Sequence, residues 1–322
     1  MHCSLFIPDF FSAGNPVPAT RLACAETLIA KGRRKRKPPI AAEAWLLERF
    51  GASSQRGWAV APYTLLADGG VPDEHFWLRA DPVHLSVGLD GLGFEGAALE
   101  LSRAEADALA GALNRHFGDA PAFHPLRPER WYIRLPAAPD VDTTPPCAVR
   151  GSAIGDKLPS GADATRFRAL MNEVQMVLHE HPVNAEREAR GAPSVNSVWF
   201  WGGGVLEAPK ARPYSVVLAN DPLARGLARA ARIPDRPLPR DGRAMLAALP
   251  AEGVALAVLD SSSDPGLEGD WFEPLLTALR EGRIDMLSLN LSGKSSLLEV
   301  ETVRSDLRHF WRARKPLRAW LS

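Results

Sequence analysis

The sequence predicts an α/β protein with a largely parallel, doubly wound sheet in its C-terminal half and an α+β N-terminal part. Three observations predict it. Apolar runs at residues 215–219, 254–259 and 284–291 alternate with segments of helical periodicity. Several of those helical segments open on a cap residue. The Pro-rich stretch 136–146 can continue neither a helix nor a central strand, so the boundary is expected there. The expected regions are therefore 1–140 and 147–322.

Along the chain, the basic run 33–39 reads as a loop leading into a helix at 41–50. Residues 76–87 read as a strand interrupted by Pro82. Ser102 and Glu105 form a capping box, with Leu109, Leu113 and Phe117 on one face of the helix and Gly118 as its stop. Phe167, Leu170, Met171, Val174, Val177 and Leu178 fall at helical spacing and run up to Pro182. Asp221 and Pro222 supply a cap and a first-turn proline for the helix after strand 215–219. Helices at 243–249 and 271–281 then alternate with strands 254–259 and 284–291. A last helix, 306–314, is expected to turn Leu307, Phe310 and Trp311 inward.

Composition bounds the class. Of 322 residues, 46% are hydrophobic and 24% charged, which is globular usage. Lys plus Arg and Asp plus Glu both number 38, so no global field draws the chain to nucleic acid or an anionic membrane. No apolar run reaches the roughly 18 residues of a membrane span, and the N-terminal residues lack the basic and long apolar regions of a signal peptide. A cytoplasmic protein is expected. Cys3, Cys24 and Cys147 are odd in number and far apart, as ordinary reduced thiols are.

The most distinctive segment is HPVNAEREARGAPSVNSVWFWGGG, residues 181–204. It concentrates hydrogen-bonding side chains beside glycines that allow close backbone approach. His181, Asn184, Arg187 and Asn196 are the candidate walls of an anion pocket, floored by Trp201, Gly202 and Gly204. The bland alternative is a surface helix whose Arg pairs with a neighbouring Glu, followed by a strand of core Trp residues.

The pattern His181-Pro182, Asn184, Arg187, Gly191, Asn196, Trp199, Trp201, Gly202, Gly204 resembles the segment closing the insert of archaeal-type, cofactor-independent phosphoglycerate mutases. It departs at Gly203, where that family usually has Gln. The resemblance implies an alkaline phosphatase-like fold with two divalent metals held by Asp and His plus a Ser nucleophile, and a phosphoglycerate mutase-like region at 147–322. The expected ligands are not found in the sequence. Residues 264–270 echo an Asp-Glu-Ala-Gly-His motif without its His, and strand 284–291 runs into Asn290-Leu-Ser-Gly-Lys294 rather than an Asp-His pair. Asp68-Gly69 lies too far along the chain to be the opening Asp-Gly. Through Trp77-Leu-Arg-Ala-Asp-Pro-Val-His84, the His181 motif and Glu301-Thr-Val-Arg-Ser-Asp-Leu-Arg-His-Phe-Trp311, the whole chain is also similar to a proteobacterial family labelled phosphoglycerate mutase-like or RpfE-type regulatory protein.

These readings give a degenerate member with no metal and no cofactor, binding a small anionic metabolite or a protein partner. The alternative is an active phosphoryl-transfer enzyme with a rearranged metal site. A third reading, a nucleic-acid factor using residues 33–37 and the cations of 304–318, is not the expected one. No aromatic residue interleaves the 33–37 run. Ser292-Gly293-Lys294-Ser295 lacks the glycine that a phosphate loop needs at position 288. Lys294 nevertheless falls with Asn220, residues 260–263 and Asn290 at the carboxyl ends of strands, where open sheets bind ligands.

Overall fold

A computed structural model describes residues 1–11, 22–88, 91–94, 99–118, 121–149, 154–250, 252–259 and 266–320. The chain forms two compact units, one from 1–52 with 208–322 and the other from 53–207. The Pro-rich stretch 136–146 thus lies inside the second unit, and the two crossings fall near 52 and 208.

The first unit opens with β1 (His2–Phe11), α1 (Ala23–Lys31), β2 (Arg33–Lys37) and α2 (Ala42–Arg49). The second unit then holds α3 (Ala61–Ala67), β3 (Phe76–Val83), β4 (Leu85–Gly88), β5 (Gly91–Phe94), α4 (Arg103–Phe117), β6 (Ala122–Arg127), β7 (Arg130–Leu135), α5 (Ala164–His179), α6 (Pro182–Ala189) and β8 (Ser197–Gly204). The chain returns to the first unit through β9 (Val216–Ala219), α7 (Pro222–Ala230), β10 (Asp235–Arg236) and α8 (Gly242–Ala248). It finishes with β11 (Val254–Val258), α9 (Glu273–Glu281), β12 (Met286–Gly293) and β13 (Leu297–Val303).

The first unit is built on a seven-stranded sheet of order β10-β9-β11-β1-β12-β13-β2. Its first five strands are parallel, and β13 and β2 close it antiparallel. A mixed α/β protein with a mostly parallel sheet is what the alternation of strands and helices predicts. The sheet differs in including the N-terminal β1 and β2. β1 is central because both its faces are covered: Cys3, Leu5 and Ile7 join Leu28, Leu275 and Leu289 in one core, while Phe6 stacks on Trp45 of α2 at 4.0 Å on the other. A strand buried on both faces reads as a near-continuous apolar run, without the alternation that marks a half-exposed strand.

The basic run 33–39 is not a loop. Arg33–Lys37 is an edge strand, paired so that Lys35 faces Glu299 and Arg33 faces Glu301, and opposite charges directly across a pair stabilise it. The last helix also fails to form. Residues 304–308 make one 3₁₀ turn, started by the Asp306 carboxylate accepting from the Val303 N–H at 3.1 Å. Phe310 and Trp311 then stand exposed, 86% and 65%, so they are not the inward face predicted for them. The helix before β12 has a π-helical turn over Leu267–Phe272 ahead of α9. No helix among the described residues is long and apolar enough to cross a membrane.

In the second unit the four-stranded sheet runs β6-β7-β3-β8. Pro82 does not interrupt β3: pairing with β7 ends at Arg79, so Pro82 has only β8 beside it and its missing N–H breaks no second ladder. The capping box of α4 forms as read, with the Glu105 N–H donating to Ser102 Oγ at 3.2 Å and the Ser102 N–H to Glu105 Oε2 at 2.8 Å.

Candidate functional site

The polar side chains singled out in the 181–204 segment are engaged with the protein's own groups. His181 caps α6, its Nδ1 accepting from the Val183 N–H at 3.2 Å. Burial, and then Arg115, lower its pKa, which suits a ring nitrogen that must stay unprotonated to accept. Asn184 donates to Leu178 O (2.7 Å) and Val195 O (2.8 Å) and accepts from the Val195 N–H (2.8 Å), tying the end of α5 to the approach to β8. Asn196 mimics a strand neighbour for Leu85, accepting from its N–H and donating to its carbonyl, both at 2.8 Å.

Arg187 is 1% exposed. Its Nε donates to Pro193 O at 2.8 Å, and its Nη1 donates to Glu100 O and Glu105 Oε1, both at 3.0 Å. Arg190 reaches the same carboxylate oxygen. Burial opposes charge on Glu105. The Ser102 amide and hydroxyl together with Arg190 and Arg187 outweigh it and hold the carboxyl at about 2.

The glycines also serve the protein's own packing. Gly202 has φ +67°, and a Cβ there would lie 2.9 Å from Val60 Cβ. At Gly203 it would lie 2.5 Å from the Phe76 ring, and at Gly204 it would meet Ala59. The structure therefore brings His181, Asn184, Arg187, Asn196, Trp201 and the glycines into one unit but turns their polar atoms and open faces onto the chain itself. Lys294 belongs to the other unit, exposed in the tight turn between β12 and β13.

Trp201 leads to a charged cluster that the sequence reading did not single out. Its Nε1 donates to Asp81 Oδ2 at 2.7 Å. Arg79 grips the same carboxylate through two bonds of 2.9 Å, and its guanidinium lies 5.1 Å from the Trp201 ring and 5.3 Å from that of Tyr132. Tyr132 donates to Asp68 at 2.7 Å, and Arg130 donates twice to Asp68 at 2.8 Å. Burial pushes the Asp81 carboxyl up against the pull of Arg79, and it raises Tyr132 as well. The signal was available: Arg79 and Asp81, two apart on a strand, share one face, and β3 is buried along its whole length. The cluster holds its charges in pairs and presents none to a ligand.

One open concavity of about 420 Å³ lies in the second unit, between Phe117, residues 135–139 and α5. Phe167 and Leu170 line it, and Arg166 at its side forms no ion pair among the described residues. In the first unit, the carboxyl ends of the parallel strands carry Asn220, accepting from the Leu238 N–H at 3.2 Å, and Asp221, capping α7 through the Ala224 N–H at 2.7 Å. Asn290 donates to Ser4 Oγ and Leu5 O at 3.1 and 2.9 Å. Phe10 and Phe11 pack edge to face at the end of β1, with Phe272 beside them. The readings placed on 260–265 lie outside the described residues. Glu268, within the echoed motif, accepts from the Cys24 N–H at 2.5 Å.

The family model of 2,3-bisphosphoglycerate-independent phosphoglycerate mutase matches residues 71–184, a span that takes in only the first four residues of the 181–204 segment. The enzyme of that name from Methanothrix thermoacetophila is 38% identical over 72 residues, 22% of this chain and 18% of the relative. That from Methanosarcina barkeri is 37% identical over 75 residues, 23% and 18%. The matches therefore span less than a fifth of the length of these curated relatives. The PH0037 protein from Pyrococcus horikoshii shares the fold, with a TM-score of 0.58 at 12% identity over 94% of this chain and 87% of that one. Over residues 71–184, roughly a third of its length, this chain is phosphoglycerate mutase-like.

Proposed function

We propose that this is a phosphoglycerate mutase-like protein without two-metal phosphoryl transfer, of the RpfE-type regulatory kind, on a degenerate alkaline phosphatase-like fold. Its work is binding, of a small anionic metabolite or a protein partner. The observation that carries this reading is the chemistry at the carboxyl ends of the parallel strands. Two metals that clamp an attacking and a leaving oxygen need several carboxylates and imidazoles converging on one point. Among the described residues, the side chains there are the Asn220 and Asn290 amides, the Ser292 hydroxyl, the exposed carboxylate of Asp9, Asp221 engaged as a helix cap, and phenylalanine rings. Among the described residues, no three His, Cys, Asp or Glu side chains are grouped to hold a metal ion. The scarcity of imidazoles and grouped carboxylates among these described residues is what supports the reading.

The test is direct. Purified protein supplied with Mn²⁺, Co²⁺ or Zn²⁺ is expected to leave 3-phosphoglycerate and 2-phosphoglycerate unconverted in a coupled assay. A metal-dependent rate abolished by a chelator overturns the proposal in favour of an active enzyme with rearranged ligands.

A further inference from the structure

The seven-stranded sheet ends in β2, an edge strand of five consecutive cations whose two faces differ. On one face Lys35 and Arg33 stand opposite Glu299 and Glu301, and Lys37 meets Glu299 at 2.9 Å. Side chains alternate across a strand, so Arg34 and Arg36 belong to the other face, and there the chain lays residues 309–320 alongside. Lys31 Nζ donates to His309 O at 2.6 Å, and Arg312 Nη1 to Lys31 O at 2.6 Å. The Arg34 guanidinium lies 4.5 Å over the Trp320 ring, and Lys315 lies 5.8 Å from the same ring. Arg36 donates to Trp320 O at 2.6 Å.

Lys31, Arg34, Arg312 and Lys315 form no ion pair among the described residues. Burial, and then the nearby Arg312, lower the pKa of Arg34, a crowding of like charges that a bound anion would relieve. Beside these cations Phe310 and Trp311 stand exposed, edge to face at 5.1 Å. Folding thus supplies the aromatic rings that the 33–37 run lacks in sequence.

We infer that this edge binds single-stranded nucleic acid, with phosphates on Arg34, Arg312 and Lys315 and a base stacked on Trp311. Cations tracking a backbone beside rings that accept any base are the recurring form of such surfaces. A second copy of the chain is disfavoured, because five like charges on an edge strand repel another such edge. A membrane surface is favoured less, since basic and aromatic groups that lie on lipid are usually set on an amphipathic helix. Residues 304–320 hold only short 3₁₀ turns.

Anisotropy of a fluorescein-labelled oligothymidylate, titrated with the full chain at several salt concentrations, tests this. Binding is expected with a log–log salt slope of about −2 for three neutralised phosphates, and more weakly for a duplex of equal length, whose bases are not free to stack. Arg34→Glu with Lys315→Glu should weaken it about tenfold or more. Trp311→Ala should weaken it about fivefold or more, with Trp311→Phe restoring most of the loss. All these side chains are exposed, so melting temperatures should stay unchanged, which separates lost binding from lost fold. Absence of binding at low salt, equal binding of duplex, or indifference to Trp311→Ala overturns the inference. So does capture by phosphatidylserine vesicles without oligonucleotide binding, which would assign the patch to membranes.

Discussion

Removing the Arg187 side chain should leave Pro193 O and Glu100 O without their Arg187 donor, and deprive Glu105 of its buried partner. Breaking a buried ion pair costs about 3–5 kcal/mol. Arg190 stays on Glu105, so Arg187→Ala is expected to lose about 3 kcal/mol, read as a drop in the denaturant midpoint at unchanged slope. A variant as stable as wild type would return Arg187 to the list of ligand contacts. The sequence marks Asn184 and Arg187 as donors concentrated beside glycines, read there as walls of an anion pocket. What it cannot display is the acceptor, because Pro193 O and Leu178 O are backbone groups that any residue would carry. Arg79 and Asp81 are legible as a pair on one face of a strand, but that this face is buried is decided by elements distant in sequence.

The start of α4 is an element whose stability depends on pH. Glu105 closes its own capping box and also receives Arg187 from α6, so one carboxylate joins two helices. Its folded pKa, about 2, lies below the ordinary 4.5. The stabilisation is therefore complete above about pH 4.5 and is lost as pH falls towards 2. Melting temperature should fall more steeply across that window in wild type than in Glu105→Gln, the two converging at the acid end; parallel curves would show that the cluster contributes nothing. Elements with local signals were legible: the α4 box, the Asp221 cap and the Gly118 stop all form. Elements decided by distant partners were not. Five adjacent cations have no strand propensity of their own, and β2 exists because Glu299 and Glu301 lie across from it. The expected 306–314 helix gives way to a turn held by Asp306 and by Arg312 reaching back to Lys31.

For the whole molecule, the alternation of strands and helices after residue 215 sufficed to predict a mostly parallel sheet. It could not reveal that the sheet takes its middle strand from residues 2–11, because both-face burial erases the period that identifies a strand. A division at 140–147 accordingly separates β1 and β2 from the strands they join. A fragment of residues 147–322 should show no cooperative thermal transition by circular dichroism, whereas the full chain should; a fragment that melts sharply would restore that boundary. The position of β1 also bears on synthesis. Its register partners, Val254 and Met286 against His2, leave the ribosome some 250 residues later, roughly 10–50 s at about 5–20 residues per second. For that interval the apolar strand Cys3-Ser-Leu-Phe-Ile7 has no sheet to enter, so the nascent chain carries an exposed apolar segment of the kind that holding chaperones cover.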